Sequence, residues 1–121
     1  ANLLMERIQS FGSHVYLVNT GWTGGPYGTG KRFDIPVTRK IINAIQTGKL
    51  SSVNTEKIEG MNLQVPTSIE GIDSKLLNPV RNWEDPSLYE SYENKLIKQF
   101  TENFTKFDVA QEIVEAGPKA T

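Results

Sequence analysis

The sequence predicts a mixed α/β fold in which about three helices pack on a small sheet. Apolar residues recur at helical spacing in three stretches of the chain. A short β-branched run at Val15–Val18 is typical of a buried strand, and a glycine-rich loop follows it at once. With 121 residues, the chain is long enough for one small domain with its own core.

The first predicted helix is marked by apolar residues on one face and by a glycine suited to its end: Leu4, Ile8, Phe11 and Gly12. Val15–Val18 then predicts the strand around which the small sheet is built. The glycine-rich loop covers Thr20–Lys31, and a second short extended piece is expected at Arg32–Ile35. The chain is thus expected to run from helix to strand to loop before its second helix.

The second predicted helix begins at Pro36, because proline suits a first helical position. Its apolar face ends before Gly48 and consists of Val37, Ile41, Ala44 and Ile45. Residues 50–63 are expected to be loop and strand, and the alternation at Met61–Pro66 predicts a half-buried strand. Residues 66–82 show no clear period and are expected to form an ordered connecting loop.

The third long helix begins at Asp85 and Pro86, which predict an N-cap carboxylate followed by proline. Its residues follow the helical repeat for about six turns. The aromatic residues of this repeat are predicted to pack in the core rather than to form a cofactor stripe: Tyr89, Tyr92, Phe100, Phe104 and Phe107. A short terminal helix is expected at 109–116, before Gly117 and Pro118.

Composition excludes several classes of protein and site. The 13 basic and 14 acidic residues nearly balance, so wholesale nucleic-acid binding is not expected. No apolar run approaches the ~20 residues that span a membrane, and no membrane partner is expected. The absence of cysteine excludes disulfides and thiolate chemistry and is compatible with the cytoplasmic location that we expect. His14 is the single histidine, and we predict neither metal ligands nor catalytic residues.

The glycine-rich loop nearly matches a phosphate-binding loop, but two features argue against that function. Arg32 stands where a hydroxyl would bind Mg²⁺, and residues 33–36 separate the loop from the next helix. A tight surface loop is the preferred interpretation. Arg32 could stack on a ring or bind phosphate, or form an ion pair with Asp34. Thr38 could serve a ligand, cap the helix or bond back to the main chain.

Several segments together resemble the ATP-dependent phosphoenolpyruvate carboxykinases, in order and over essentially all 121 residues. The combination of an Asn-Thr-Gly-Trp segment with a Gly-Thr-Gly-Lys-Arg segment is far more specific than a lone glycine motif. The segments that carry the resemblance are Tyr16–Trp22, Gly28–Arg32, Thr38–Arg39 with Ile41–Ile42, Val65–Pro66, Asp73 with Leu77–Pro79, and Ala116–Pro118.

The resemblance implies that residues 1–121 are one partial domain, the C-terminal segment of that enzyme's nucleotide-binding lobe. The family converts oxaloacetate and ATP into phosphoenolpyruvate, CO₂ and ADP in gluconeogenesis, with Mg²⁺ and Mn²⁺. Its nucleotide contacts fall on Arg32, Phe33 and Thr38 of this chain, with Phe33 contributing its backbone or an apolar surface. The phosphate loop, the metal ligands and the oxaloacetate-binding arginines have no counterpart here. The expected partners are therefore a nucleotide and the remainder of the parent chain.

Two other interpretations stay open at this point. The chain could be a folded fragment that does not turn over, because the metal site is missing. It could also be a free-standing nucleotide-binding or interaction module, a hypothesis that depends on the loop alone. As part of a longer enzyme, it would expose apolar surface that the parent covers.

Overall fold

The computed structural model describes residues 2–119, which form a mixed α/β fold and confirm the predicted class. Three of the helices are ten residues or longer, in agreement with the predicted number, and two more are short. In chain order the elements are α1 (Asn2–Phe11), β1 (Trp22–Thr23), β2 (Lys31–Arg32), α2 (Ile35–Gln46), β3 (Thr55–Ile58), β4 (Leu63–Pro66), α3 (Pro79–Asn82), α4 (Pro86–Phe104) and α5 (Gln111–Glu115).

The predicted strand at Val15–Val18 is wrong. Residues 12–20 have no regular secondary structure, and Leu17 is 84% exposed. A strand needs a neighbour to accept and donate its ladder hydrogen bonds, and within residues 2–119 no strand pairs with this segment. The β-branched composition of Val15–Val18 favours a strand, but the described residues provide no partner strand for it. The small sheet predicted around this run is absent from the described residues.

The strands instead form two separate antiparallel hairpins. β1 pairs with β2, with Trp22 opposite Arg32, while β3 pairs with β4 from Thr55 opposite Pro66 to Ile58 opposite Leu63. The predicted extended piece at 32–35 is therefore displaced, because β2 ends at Arg32 and α2 begins at Ile35. The strand predicted over 61–66 begins two residues late because Asn62, with φ of 54°, belongs to the turn of this hairpin.

Local signals located most helix ends well. Gly12 and Gly48 have φ of 61° and 71°, the left-handed conformation in which helices commonly end. Pro36 occupies the second rather than the first position of α2, whose N-cap is Asp34.

The connecting loop predicted over 66–82 contains a 3₁₀ turn at Ser74–Leu76 and the single turn of α3.

The start of α4 is the best-defined helix terminus. The Asp85 carboxylate accepts hydrogen bonds from the backbone N–H groups of Ser87 at 2.9 Å and Leu88 at 3.1 Å. Such a cap stabilises a helix by about 1 kcal/mol. α4 ends at Phe104 and is shorter than predicted. The terminal helix predicted at 109–116 is also shorter and is α5, Gln111–Glu115.

The aromatic side chains of the α4 region only partly fulfil the prediction of core packing. Trp83 packs against the rings of Tyr89 and Tyr92, each with a centroid separation of 5.6 Å. Partial burial, together with the hydrogen bond that the phenol donates to Glu93 at 2.9 Å, raises the pKa of Tyr89. Phe100 is 50% exposed, however, and cannot be called a core residue in this structure.

The core is small, and its buried apolar residues are Ala44, Ile58, Ile69 and Ile97. One part of it lies where α4 contacts the turn of the β3–β4 hairpin. Ile97 of α4 is 3% exposed, and a Cβ added at Gly60 would lie 3.1 Å from its Cδ1. The C-terminal segment closes over the same turn, since Asn62 donates to the carbonyl of Ala116 at 2.9 Å. Lys119 also donates its backbone N–H to the Gly60 carbonyl at 2.9 Å. The hairpin turn is therefore the point where α4 and the C-terminal segment meet.

Much apolar surface remains outside this core. α1 contributes no buried residue, and the large side chains that follow it are exposed as well. None of the helices in the described part of the chain has both the length and the apolar character needed to cross a bilayer. The apolar residues with the highest exposure include Leu17, Tyr27, Phe11, Ile35 and Leu3.

Candidate functional site

The glycine-rich loop connects β1 to β2 and is closed by its own backbone. The N–H groups of Thr29 and Gly30 both donate to the Pro26 carbonyl, at 3.0 Å and 2.8 Å. A Cβ at Gly30 would lie 2.5 Å from the Gly25 carbonyl oxygen and 2.7 Å from that of Thr23. Because backbone packs directly on backbone here, glycine is required by the shape of the hairpin. The loop leads into a strand rather than a helix, in agreement with the rejection of a phosphate-binding loop.

A cavity of about 440 Å³ lies between the end of this hairpin and the start of α2. The structure brings the three predicted nucleotide-binding residues together in its lining, although they come from different elements. Arg32 ends β2, Phe33 follows it, and Thr38 lies in the first turn of α2. The volume is typical of small-molecule pockets. The lining consists of Thr20, Gly21, Arg32, Phe33, Ile35 and Thr38.

The polar groups of the cavity are available to a ligand. Arg32 is exposed, and within residues 2–119 no carboxylate lies within ion-pair distance of it, so the alternative of a pair with Asp34 is not formed. Thr38 is half-buried, and its N–H donates to the Asp34 carbonyl at 3.1 Å. Its hydroxyl neither caps the helix nor bonds back to the main chain in the described part of the protein.

Phe33 has a more restricted role. Its N–H donates to the Gly21 carbonyl at 3.0 Å, which extends the pairing of the hairpin by one hydrogen bond. The N–H of Phe33 is therefore occupied, and the half-buried aromatic ring is the part of the residue best suited to contact a ligand.

Sequence reasoning did not single out three residues of the lining. Thr20 and Gly21 lie at a turn in which the Gly21 N–H donates to the Asn19 side-chain oxygen at 3.0 Å. Asparagine commonly forms such a turn two residues before the donor, so this signal was present in the sequence. Ile35 carries no such signal, because its 67% exposure next to the cavity depends on how α2 meets the hairpin.

The lining of the cavity contains no carboxylate, histidine or cysteine. Across residues 2–119, no three or more histidine, cysteine, aspartate or glutamate side chains converge as a metal site requires. The chemistry available at the cavity is therefore that of a cation, a hydroxyl and an aromatic ring. Such groups can bind and orient a planar, polar ligand.

Comparison with known proteins identifies relatives over nearly the whole chain. The family described as "Phosphoenolpyruvate carboxykinase" matches residues 1–75, which include the entire lining of the cavity. "Phosphoenolpyruvate carboxykinase (ATP)" of Campylobacter lari is 47% identical over 98% of this chain and 23% of the relative. The proteins of the same name from Thermus thermophilus and Caldanaerobacter subterraneus are 44% and 43% identical over the same shares. The chain thus spans about a quarter of the length of these curated relatives.

Proposed function

Because the chain belongs to the ATP-dependent phosphoenolpyruvate carboxykinase family, we propose that it supplies the adenosine side of the ATP site in such an enzyme. We place residues 1–121 at the C-terminal end of the nucleotide-binding lobe. The observation that carries the proposal is that Arg32, Phe33 and Thr38 line the same cavity. The proposed reaction of the whole enzyme turns oxaloacetate and ATP into phosphoenolpyruvate, CO₂ and ADP.

The three side chains suit the base and ribose of a nucleotide. A guanidinium is planar and permanently charged, so that of Arg32 can stack on adenine while its edge donates hydrogen bonds. The Phe33 ring offers an apolar surface, and the Thr38 hydroxyl can donate to or accept from a polar edge. Together they hold the ligand in one orientation, which is a large part of what phosphoryl transfer requires of a protein.

The divalent ions that we propose for the whole enzyme find no carboxylate ligand in the lining of this cavity. Across residues 2–119, no three or more histidine, cysteine, aspartate or glutamate side chains converge either. The groups that hold the metal, the phosphates and oxaloacetate must then come from the remainder of the enzyme. We accordingly assign binding of the nucleotide, and no chemical step, to this segment.

Replacing Thr38 with valine in the full-length enzyme is expected to raise the KM for ATP about 3- to 10-fold. The substitution removes the hydroxyl but keeps the branched shape, and a hydrogen bond contributes about 0.5–1.5 kcal/mol. The KM for oxaloacetate should stay within about twofold, and Thr38→Ser, which keeps the hydroxyl, should restore the KM for ATP. Steady-state kinetics with each substrate varied in turn make the measurement. An equal rise in both KM values would contradict the assignment.

The 121-residue chain alone is expected to show no carboxykinase turnover. It spans 23% of the length of its relatives, and positioning and charge stabilisation at the phosphates would be absent. The assay supplies ATP, oxaloacetate, Mg²⁺ and Mn²⁺ and measures phosphoenolpyruvate, with the full-length enzyme as the positive control. Any metal-dependent turnover would overturn the expectation.

A free-standing nucleotide-binding module is the second candidate, favoured only by the presence of the cavity in this chain. Calorimetry of the 121-residue chain with ATP separates the two functions. Micromolar affinity would support the module, whereas no heat of binding would leave the enzyme segment as the better explanation. We expect weak or no binding, because most of the proposed nucleotide pocket would lie in the remainder of the enzyme.

A further inference from the structure

The hairpin that carries Arg32 is too small to hold its own position. β1 and β2 pair over only two residues each, and an isolated two-stranded hairpin is marginally stable. Arg32 must nevertheless keep a fixed distance from Thr38, since both line the same cavity. Some contact outside the hairpin must therefore orient it.

Asn82, the last residue of α3, makes that contact. Its side-chain Nδ2 donates a hydrogen bond to the Oγ1 of Thr23, a residue that is 8% exposed. Gly24 also lies against it, since a Cβ at Gly24 would be 3.5 Å from the Asn82 carbonyl oxygen. Among the described residues 2–119, this is the one hydrogen bond that joins the hairpin to the chain beyond α2.

The helical turn that ends in Asn82 is itself firmly attached to the rest of the fold. Asn78 accepts a hydrogen bond from the Val80 N–H at 3.0 Å and donates to Oε1 of Glu56 at 3.0 Å. Arg81 forms an ion pair with the other oxygen of the same carboxylate at 2.5 Å. Because Glu56 belongs to β3, α3 is held to the second hairpin at two points. The position of Asn82 is thus set by the attachment of α3 to β3.

From these contacts we propose that Asn82 is a positioning residue for the nucleotide site, acting through Thr23. Thr23 pairs with Lys31 across the hairpin, and Arg32 is the next residue along that strand. The amide of Asn82 therefore fixes the strand pair from which the guanidinium extends. The inference depends on the proposed function, because it assigns a purpose to the position of Arg32.

The test uses the full-length enzyme and the Thr23→Val variant, which removes the hydroxyl and keeps the side-chain shape. The KM for ATP is expected to rise about 5- to 20-fold, with kcat and the KM for oxaloacetate within about twofold. Thr23→Ser, which restores the hydroxyl, should return the KM for ATP to within about twofold of the wild type. Asn82→Ala should reproduce the effect of Thr23→Val from the other partner.

A double variant separates positioning from general damage to the fold. If Asn82 and Thr23 act through the guanidinium, Thr23→Val should have almost no further effect on the KM for ATP in the Arg32→Ala background. A full additional rise in that background would overturn the inference. If Thr23→Val does not fold, the same comparison is made with Asn82→Ala, whose ATP and oxaloacetate KM values carry the same prediction.

The outcomes also separate this inference from the proposed function. If Arg32→Ala raises the KM for ATP while Thr23→Val and Asn82→Ala do not, the positioning role is wrong and the nucleotide site stands. If Arg32→Ala leaves the KM for ATP unchanged, the proposed function of the cavity fails and the inference with it.

Discussion

Replacing Arg32 with alanine is expected to raise the KM for ATP of the full-length enzyme at least about 30-fold. Stacking of a guanidinium on a ring contributes about 0.5–2 kcal/mol, and each hydrogen bond from a charged donor adds about 1.5–3 kcal/mol. Arg32 makes no ion pair within residues 2–119, so little is lost from the fold itself. The melting temperature should therefore change little while nucleotide affinity falls.

Two comparisons make the Arg32 prediction specific. Arg32→Lys keeps the charge but loses the planar group, so its KM for ATP should lie between those of the wild type and Arg32→Ala. The KM for oxaloacetate should stay within about twofold in both variants, because the proposed contact is with adenosine. Equal weakening of both substrates would refute the assignment of Arg32 to the nucleotide.

Replacing Gly30 with alanine should be the most damaging single change to the hairpin. The new Cβ would lie 2.5 Å from the carbonyl oxygen of Gly25 and 2.7 Å from that of Thr23, which belongs to the strand pair. Overpacking of this kind costs about 1–3 kcal/mol. Because Lys31 and Arg32 follow Gly30 directly, the KM for ATP should rise together with the loss of stability.

Urea unfolding and the KM for ATP, both measured on the full-length enzyme, test the Gly30 prediction. Thr29→Ala is the matched control, since Thr29 is the exposed neighbour in the same loop and its substitution should change stability by less than about 0.5 kcal/mol. If Gly30→Ala unfolds at the wild-type urea concentration and binds ATP normally, the close backbone packing described for this hairpin is incorrect.

The helices were the most predictable part of the fold because their signals are local. The Asp85 side chain caps the backbone within three residues of itself, and Gly48 ends α2 through its own φ angle. The strand predicted at Val15–Val18 failed for the opposite reason. Strand formation depends on a partner that propensity does not specify, and no partner for this run exists within residues 2–119.

The residues of the candidate site also include some that the sequence predicted and others that only the structure identified. Arg32, Phe33 and Thr38 followed from the family resemblance, and the structure places them around one cavity. Thr20 lay at a recognisable turn, but Ile35 and Asn82 carried no signal of their own. Asn82 is 59 residues away from Thr23 in sequence, and only the packing of α3 against the first hairpin joins them.

By itself, the sequence determined the family, the fold class and several of the helix ends. The family follows from motifs spread along the chain, and the helix ends follow from residues within a few positions of them. The sequence also argued against a phosphate-binding loop, since a cation stands where that motif requires a hydroxyl. Only the tertiary structure decided which strands pair, which residues surround the cavity and which distant residue contacts the hairpin that carries Arg32. Those features depend on hydrogen bonds between distant segments, and such contacts are set by the packing of the whole chain rather than by local preference.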